Sequence, residues 1–375
     1  MIKLYGSKFS LYTGKVRSYL IQKGIPFEEI TSTLKVYKSF IIPRTGVRYV
    51  PVIQTDNDEV IQDTSDIIDC LELAYPENSI YPVTPKQKLV SLLLEVYGDE
   101  WLVIPAMHYR WNYPRLNGRF INGEFGRLVM PRAPKLIQRF LGKKLGRKFN
   151  AFVPGLGISE KNIAVIERSY EQLLRDLNAH FAQHDYLLGG KPTIGDFGFI
   201  GPLYAHLYRD PAPRALMQKV APNVCAWVER MNKPNLSKVD LPSDDTVPAT
   251  LTPILQRMAK EHLPVLNDTN RLLAEWRKAN PMADEVDRFI GKHDFKIDGV
   301  SGQRLVLPYS LWMLQRPMSV YRSLENTDEI DGYFRSIGFT EFQQIELHNP
   351  LKRQNNKLMF VSDEPIIQPN KPRIK

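Results

Sequence analysis

Over residues 1–82 the spacing of apolar positions changes in a definite order. IKLY, residues 2–5, reads as a short strand, the run from about Gly14 to Lys23 as a helix, and PFEEIT as a second strand. After a basic loop, YVPVIQT and EVIQ are two apolar runs separated by TDND, a hairpin-type turn signal. DTSDIIDCLELAY then restores helical spacing, with Ile67, Cys70 and Leu71 on one face and Asp63 or Thr64 able to cap it. The order is therefore β-α-β, a connection, then β-β-α.

From residue 84 the strand signal disappears. Residues 85–111, 160–182, 194–209 and 213–232 read as helices between Pro and Gly punctuation. KVDLPSDDTVP separates this all-α part from a third section with helices near 250–264, 266–279 and 310–323 and a turn-bearing piece, FKIDGVSGQRLVLP. The organisation expected is an α/β domain over 1–82, an all-helical domain over 83–240 with a basic insertion at about 115–159, and a mainly helical extension over 241–375. The extension is expected to pack back on the helical domain, with a loose tail from about 355.

Composition narrows the chemistry. The 375 residues, 43% of them hydrophobic, suffice for two or three domains with sizeable cores. Two distant cysteines, Cys70 and Cys225, give neither a disulfide framework nor a metal-ligand spacing, so a reducing, cytoplasmic setting and no metal are expected. MIKLYGSKF has no apolar leader pattern and no window is apolar enough for a membrane span, so no stable membrane insertion is expected. The net charge of +9 is uneven: residues 125–159 hold Arg127, Arg132, Lys135, Arg139, Lys143, Lys144, Arg147 and Lys148 and no acid. PRAPKLIQRFLGKKLGRKF within it has the pattern of a basic amphipathic helix. The ordinary expectation is that its apolar side packs on the protein; steering of anionic substrates and contact with membrane or nucleic acid are the alternatives. The chain lacks aromatic stacking runs or another nucleic-acid module, so no nucleic-acid partner is expected.

Over about residues 1–235 the chain resembles the cytosolic glutathione transferase superfamily, on three separated motifs. YVPVIQTDNDEVIQDTSDIIDCLE resembles its glutathione-site signature. The resemblance implies a thioredoxin-like first domain and a cis proline at Pro51, with the Val50 backbone pairing with the cysteinyl backbone of glutathione. It also implies that Asp63 and Thr64 hold the γ-glutamyl end, where a helix N-terminus offers free N–H groups to a carboxylate. KPTIGDFGFIGPLYAH resembles the family's capping box and staple: Thr193 as N-cap, Asp196 at N3, Pro192 and Phe197 as the staple pair.

SKFSLYTGKVRSYL is the third motif, and it resembles the opening of Ser- and Cys-type members. In those members the residue contacting the thiol lies about six positions before an apolar helix residue flanked by basic ones; Val16, between Lys15 and Arg17, is that residue here, so the resemblance implies Ser10. A Ser before a helix is also an ordinary cap, and Tyr12 and Thr13 remain candidates, Tyr12 more as a wall of the site. No cysteine occurs in residues 1–69, which argues against chemistry through an enzyme thiol. A hydroxyl would instead donate to the glutathione thiolate, with the start of the helix and Lys15 or Arg17 lowering the thiol pKa. Lys35, Lys38, Arg44 and Arg48 are cations available for the glycyl carboxylate, Lys38 and Arg48 being carried forward.

The function implied is a glutathione S-transferase acting on alkyl or aryl groups, with glutathione as co-substrate and reductase or lyase chemistry as side activities. The second substrate would be a small hydrophobic or anionic electrophile held between the domains. EVYGDEWLVIPAMHYRW offers its lining: Met107, His108, Tyr109, Arg110 and Trp111, with Arg110 as the anion contact because a buried guanidinium needs a partner. Core packing is the ordinary reading of Trp101 and Met107, and a structural hydrogen bond that of His108. The family also implies a homodimer and a role in detoxification. The extension departs from the two-domain plan, so it could cover the mouth of the site or alter the dimer interface. It also supports a different class of function, a non-catalytic scaffold for protein interaction.

Overall fold

The computed structural model describes residues 1–234 and 239–361. In the first domain β1 (Ile2–Gly6) leads into α1 (Leu11–Gln22), β2 (Phe27–Thr31), two short helical turns, α2 (Leu34–Val36) and α3 (Ile42–Thr45), then β3 (Val52–Gln54), β4 (Val60–Gln62) and α4 (Thr64–Ala74). The sheet order is β2-β1-β3-β4, with β1 parallel to β2 and the other pairs antiparallel. Leu4 pairs with Ile53, and both are fully buried where α1 and α4 cover the sheet. The β-α-β, β-β-α order read from the apolar spacing is the one observed.

The second domain contains α5 (Pro85–Val96), α6 (Val103–Asn112), α7 (Pro114–Val129), α8 (Lys135–Asn150), α9 (Ile163–Phe181), α10 (Ile194–Ala205), α11 (Pro211–Val220) and α12 (Pro222–Met231). The single helix expected over 85–111 is divided by a π-helical turn at Tyr97–Trp101. That turn lies hard against α10: a Cβ on Gly98 would come within 2.5 Å of the Gly198 backbone, so the two chains touch where neither has a side chain. The capping box at Thr193 and Asp196 forms as expected. Asp196 also accepts from the Leu187 N–H at 3.0 Å and the Trp227 indole at 3.1 Å, so it ties three segments together. α1 is fixed to the helical domain by the Ser18 hydroxyl, which donates to the Met231 carbonyl at 2.6 Å.

The extension holds α13 (Thr252–Arg257), α14 (Leu263–Ala279), β5 (Lys292–Ile297), β6 (Val300–Leu305), α15 (Pro308–Arg322), α16 (Asp328–Ser336), β7 (Leu351–Gln354) and β8 (Lys357–Phe360). FKIDGVSGQRLVLP proves to contain most of a hairpin: Asp298 and Gly299 both have positive φ, the two-residue turn that matches strand twist. A second hairpin, turning at Asn355 and Asn356 with the same backbone signs, corrects the expectation of a loose tail for residues 355–361. Residues 362–375 lie outside the described residues. The extension packs on the helical domain through α15 against α5, and its core is continuous with that of both other domains. It goes further than expected, reaching the first domain. Arg316 pairs with Asp69 at 2.6 Å, donates to the Tyr81 hydroxyl at 2.8 Å and lies 3.6 Å from Glu95 of α5. Asn356 donates to the Thr45 carbonyl at 2.9 Å.

The basic helix α8 departs from expectation. Its inward positions are Gln138, Gly142 and Gly146, and its bulky apolar residues Leu136, Ile137 and Phe140 are exposed. Small residues let α7 and α8 approach closely, and that approach leaves the larger side chains outside.

Candidate functional site

Two helix starts converge beside β1 and β3. Ser10 follows β1 with extended backbone and caps α1, its Oγ accepting from the Thr13 N–H at 3.3 Å. It is half-buried, so the hydroxyl serves as cap while remaining at the cleft edge. Thr13 is fully buried and its Oγ1 accepts from the Ser7 N–H at 3.4 Å. Its methyl packs on Gly6, where any Cβ would collide with it. Tyr12 donates to the Asp99 carbonyl at 3.3 Å, across to the helical domain. Burial first, then the carboxylates of Glu100, Asp99 and Asp63, hold its phenol well above the ordinary value.

The Val50–Pro51 peptide is cis, and Pro51 is buried at the head of β3. Asp63 caps α4 at φ 92°, accepting from the Ser65 N–H at 3.0 Å, and Thr64 is buried in the first turn. Asp63 Oδ2 is already engaged by the extension. Tyr309 donates its hydroxyl to it at 2.8 Å, and the Arg353 guanidinium lies 3.7 Å away. Arg353 is anchored by Asp66 at 2.7 Å and the Gln62 side chain at 3.0 Å, and it lies over the rings of Tyr309 and Trp312. Burial raises the Asp66 carboxyl to about 6 against the opposing pull of Arg353. Met313 accepts from the Ser65 hydroxyl at 3.5 Å, so α15 covers the start of α4. Neither Tyr309 nor Arg353 was among the residues expected here. Pairing across about 250 to 290 residues leaves no local signal in the chain.

The cations expected beside the thiol are committed elsewhere. Lys15 is fully buried between Glu95 at 2.6 Å and Asp99 at 2.5 Å. Burial alone would lower its ammonium, but the two carboxylates outweigh it and raise it. Arg17 makes a two-pronged pair with Glu29 at 2.7 and 2.6 Å. The expectation that either lowers a thiol pKa from beside Ser10 is therefore corrected. Lys38 and Arg48 are exposed, and Arg44 is paired with Asp58 at 3.1 Å.

The expected second-substrate set resolves into structural roles. Arg110 spends its donors on both oxygens of Asp210, at 2.6 and 2.8 Å, and on the carbonyls of Phe9 and Ala205. It satisfies the demand for a buried partner internally, which removes the reason for assigning it an anion contact. His108 bridges Glu167 at 2.9 Å and Asn112 at 2.8 Å. Tyr109 stacks on Tyr113 and meets Tyr170 at a tilt, Trp111 packs on Phe125, and Met107 is buried in the main core. The carboxylates of this segment that act on Tyr12 come from about two to three turns earlier. Asp99 and Glu100 sit in the π-helical turn, where burial, opposed by Lys15, lifts Asp99 to about 7. Burial and then Asp99 lift Glu100 to about 8, despite the pull of Arg304. Arg304 is buried against Trp101 at 5.5 Å with Nε and Nη1 unpartnered. An adjacent acid pair inside an apolar helix, DE at 99–100, is the sequence signal that could have marked this place.

The glutathione S-transferase N-terminal domain family matches residues 4–79, and the glutathione S-transferase C-terminal domain family matches residues 150–234. The chain belongs to the glutathione transferase superfamily. A curated glutathione S-transferase from Pseudomonas putida (strain F1) is 31% identical over 110 residues, which are 28% of this chain. The matched stretch spans about half, 47%, of that relative's length. Solved structures similar to this superfamily member include a glutathione S-transferase from Rhodospirillum rubrum F11, at 16% identity and a TM-score of 0.40, covering 65% of this chain and 98% of that one. A beta-etherase from Sphingobium sp. strain SYK-6 has 17% identity and a TM-score of 0.43, covering 62% and 94%. A glutathione S-transferase from Methylobacterium radiotolerans, in complex with glutathione sulfonate, has 20% identity and a TM-score of 0.39, covering 64% and 98%. Among the described residues of the present chain no helix is long and apolar enough to cross a membrane, and no group of His, Cys, Asp or Glu is arranged to hold a metal.

Proposed function

We propose that the chain binds glutathione in the cleft between α1 and α4 and uses its thiolate as the nucleophile toward a small electrophile. The observation that carries the reading is the convergence of two helix N-termini on one cleft. Tyr12, two residues beyond the Ser10 cap, feels the charge of Asp63, the cap of α4. The γ-glutamyl carboxylate would meet the free N–H groups and Thr64 at the start of α4, and its ammonium would meet Asp63. The cysteinyl backbone would pair at Val50, before Pro51, and the sulfur would reach Ser10. There the hydroxyl and the N-terminus of α1 favour the thiolate over the thiol. With Lys15 and Arg17 neutralised, the helix start and Ser10 carry that stabilisation alone. Lys38 or Arg48, both exposed, would serve the glycyl carboxylate.

Isothermal titration calorimetry with glutathione tests this directly. Heat that saturates at millimolar ligand is expected, and no heat there would end the reading. If glutathione binds, absorbance titration of the bound thiolate should show a higher pKa in Ser10→Ala. An unchanged value would move the assignment to Tyr12 or Thr13.

A second reading, a non-catalytic scaffold, is favoured by one specific observation: Asp63 already has Tyr309 and Arg353 as partners from its own chain. On that reading the extension completes the fold permanently, and no thiol ligand displaces it. The same calorimetry separates the two.

A further inference from the structure

In the α7–α8 hairpin Ile121, Phe125 and Leu145 pack inward, but a second set of apolar side chains faces outward. A Cβ at Gly142 would fall 1.8 Å from the Asn122 carbonyl oxygen, and one at Gly126 1.9 Å from that of Gln138. Backbones this close use glycine as the packing face. Helical spacing then puts Leu136, Phe140, Lys144 and Arg147 on the opposite side of α8 from Gln138, Gly142 and Gly146. Leu136 is 77% exposed and Phe140 74%, with Ile137 and, in the connecting turn, Met130 also exposed. Side chains of this kind, gathered at the apex of a hairpin, are what a soluble surface normally excludes.

Charge says what would cover them. Residues 125–159 hold eight Lys or Arg and no acid. Of the eight, only Arg127 has an ion-pair partner among the described residues, Glu124. The remaining cations flank the apolar apex and continue down α8. A second copy of the same surface would be repelled by that charge. A nucleic acid would use the cations but leave Leu136 and Phe140 without a role. An anionic bilayer surface uses both, because its headgroups attract the cations while the interface takes up the apolar side chains.

We propose that the α7–α8 hairpin docks this protein peripherally on anionic lipid, with Leu136, Ile137 and Phe140 entering the headgroup region and the basic residues of α8 lying over it. This contact is a surface one and spans nothing. It is independent of what the cleft binds.

Sedimentation of the full chain with vesicles tests it, using phosphatidylcholine alone and phosphatidylcholine with a third phosphatidylserine. The wild type should pellet with the second and stay in solution with the first. The double change Lys143→Glu and Lys144→Glu should lower partitioning at least about tenfold, since each cation near such a surface contributes substantially. Leu136→Asp with Phe140→Asp should also lower it about tenfold or more through loss of apolar insertion. Because these side chains are exposed, both variants should keep the wild-type circular dichroism spectrum and melting temperature. Absence of binding to phosphatidylserine vesicles overturns the proposal. So does binding that Leu136→Asp/Phe140→Asp leaves unchanged, which would mean charge attraction alone. Tighter binding to duplex RNA or DNA than to vesicles, or self-association abolished by that same variant, would reassign the surface and also refute it.

Discussion

Tyr309→Phe removes one oxygen and leaves the ring packing on Trp312, so it isolates the bond between the extension and Asp63. A hydroxyl donating at 2.8 Å to a carboxylate is a charge-assisted bond, worth roughly 1.5–3 kcal/mol when not replaced by water. If glutathione engages Asp63 only after this bond breaks, its apparent dissociation constant is the intrinsic one divided by the open fraction. Loss of the bond then raises glutathione affinity by roughly 10- to 150-fold, at about tenfold per 1.4 kcal/mol. The upper end assumes that the open state is rare in both proteins and that water does not take the vacated position. Arg353→Ala should act in the same direction, and combining the two tests whether they act as one unit. Calorimetry on the wild type and the three variants reads the change. If Tyr309→Phe binds glutathione no more tightly than the wild type, the ligand does not compete with Tyr309, and the account of Asp63 as a shared acceptor fails. If the variant binds more weakly, Tyr309 is part of the binding site and contacts the ligand.

Other perturbations address the supports of the cleft. Lys15→Met strands Asp99 in the core and leaves Glu95 only the longer pair with Arg316 at 3.6 Å, so it should cost about 3–5 kcal/mol in urea unfolding; adding Asp99→Asn should recover much of it. Glu100 has a folded pKa raised from 4.5 to about 8, so the folded state holds its proton over a range where the unfolded state has lost it. Its contribution is therefore full below pH 4.5 and lost as pH rises toward 8, and urea melts of Glu100→Gln across that window should be flatter than those of the wild type. Ser10→Ala deletes the cap of α1 and should lower stability by about 1 kcal/mol, a loss seen with or without glutathione. Arg110→Lys cannot reproduce the paired contacts to Asp210 and should lower the melting temperature by several degrees, with no specific effect on a second substrate.

What could be read in the chain was what local spacing encodes. The strand and helix order of the first domain and the capping box at Thr193 rest on residues close together in sequence, whereas the cis proline at Pro51 follows from the family resemblance. The hairpin turning at Asp298–Gly299 carried its own signal, DG between alternating residues, and could have been read as a hairpin rather than a turn-bearing piece. The expectations for charged residues fared worse. Lys15 and Arg17 follow Ser10 closely enough to suggest help for a thiolate, and Arg110 suggests an anion contact because a buried guanidinium needs a partner, but each is satisfied by a carboxylate from elsewhere in the fold. The pairing of Arg110 with Asp210 crosses 100 residues and that of Arg353 with Asp66 crosses 287, distances at which neither periodicity nor composition carries information. The exposed face of α8 was misread for a related reason. Apolar residues at helical spacing normally mark the buried face, but here the partner helix approaches on glycine, and close backbone contact displaced the larger side chains.

The π-helical turn at Tyr97–Trp101 sets the phase of everything that follows it in the long helix. An α-helix advances by about 100° per residue, so one additional residue in a turn rotates the next segment by that angle relative to an uninterrupted helix. Lys15 meets Glu95 from the helix before the bulge and Asp99 from within it, while Arg110, a few turns on, faces Asp210. Removing a single residue between Tyr97 and Trp101 would thus act like a gear slipping one tooth: the composition of the helix would hardly change, but α6 would turn its wrong side to the rest of the domain.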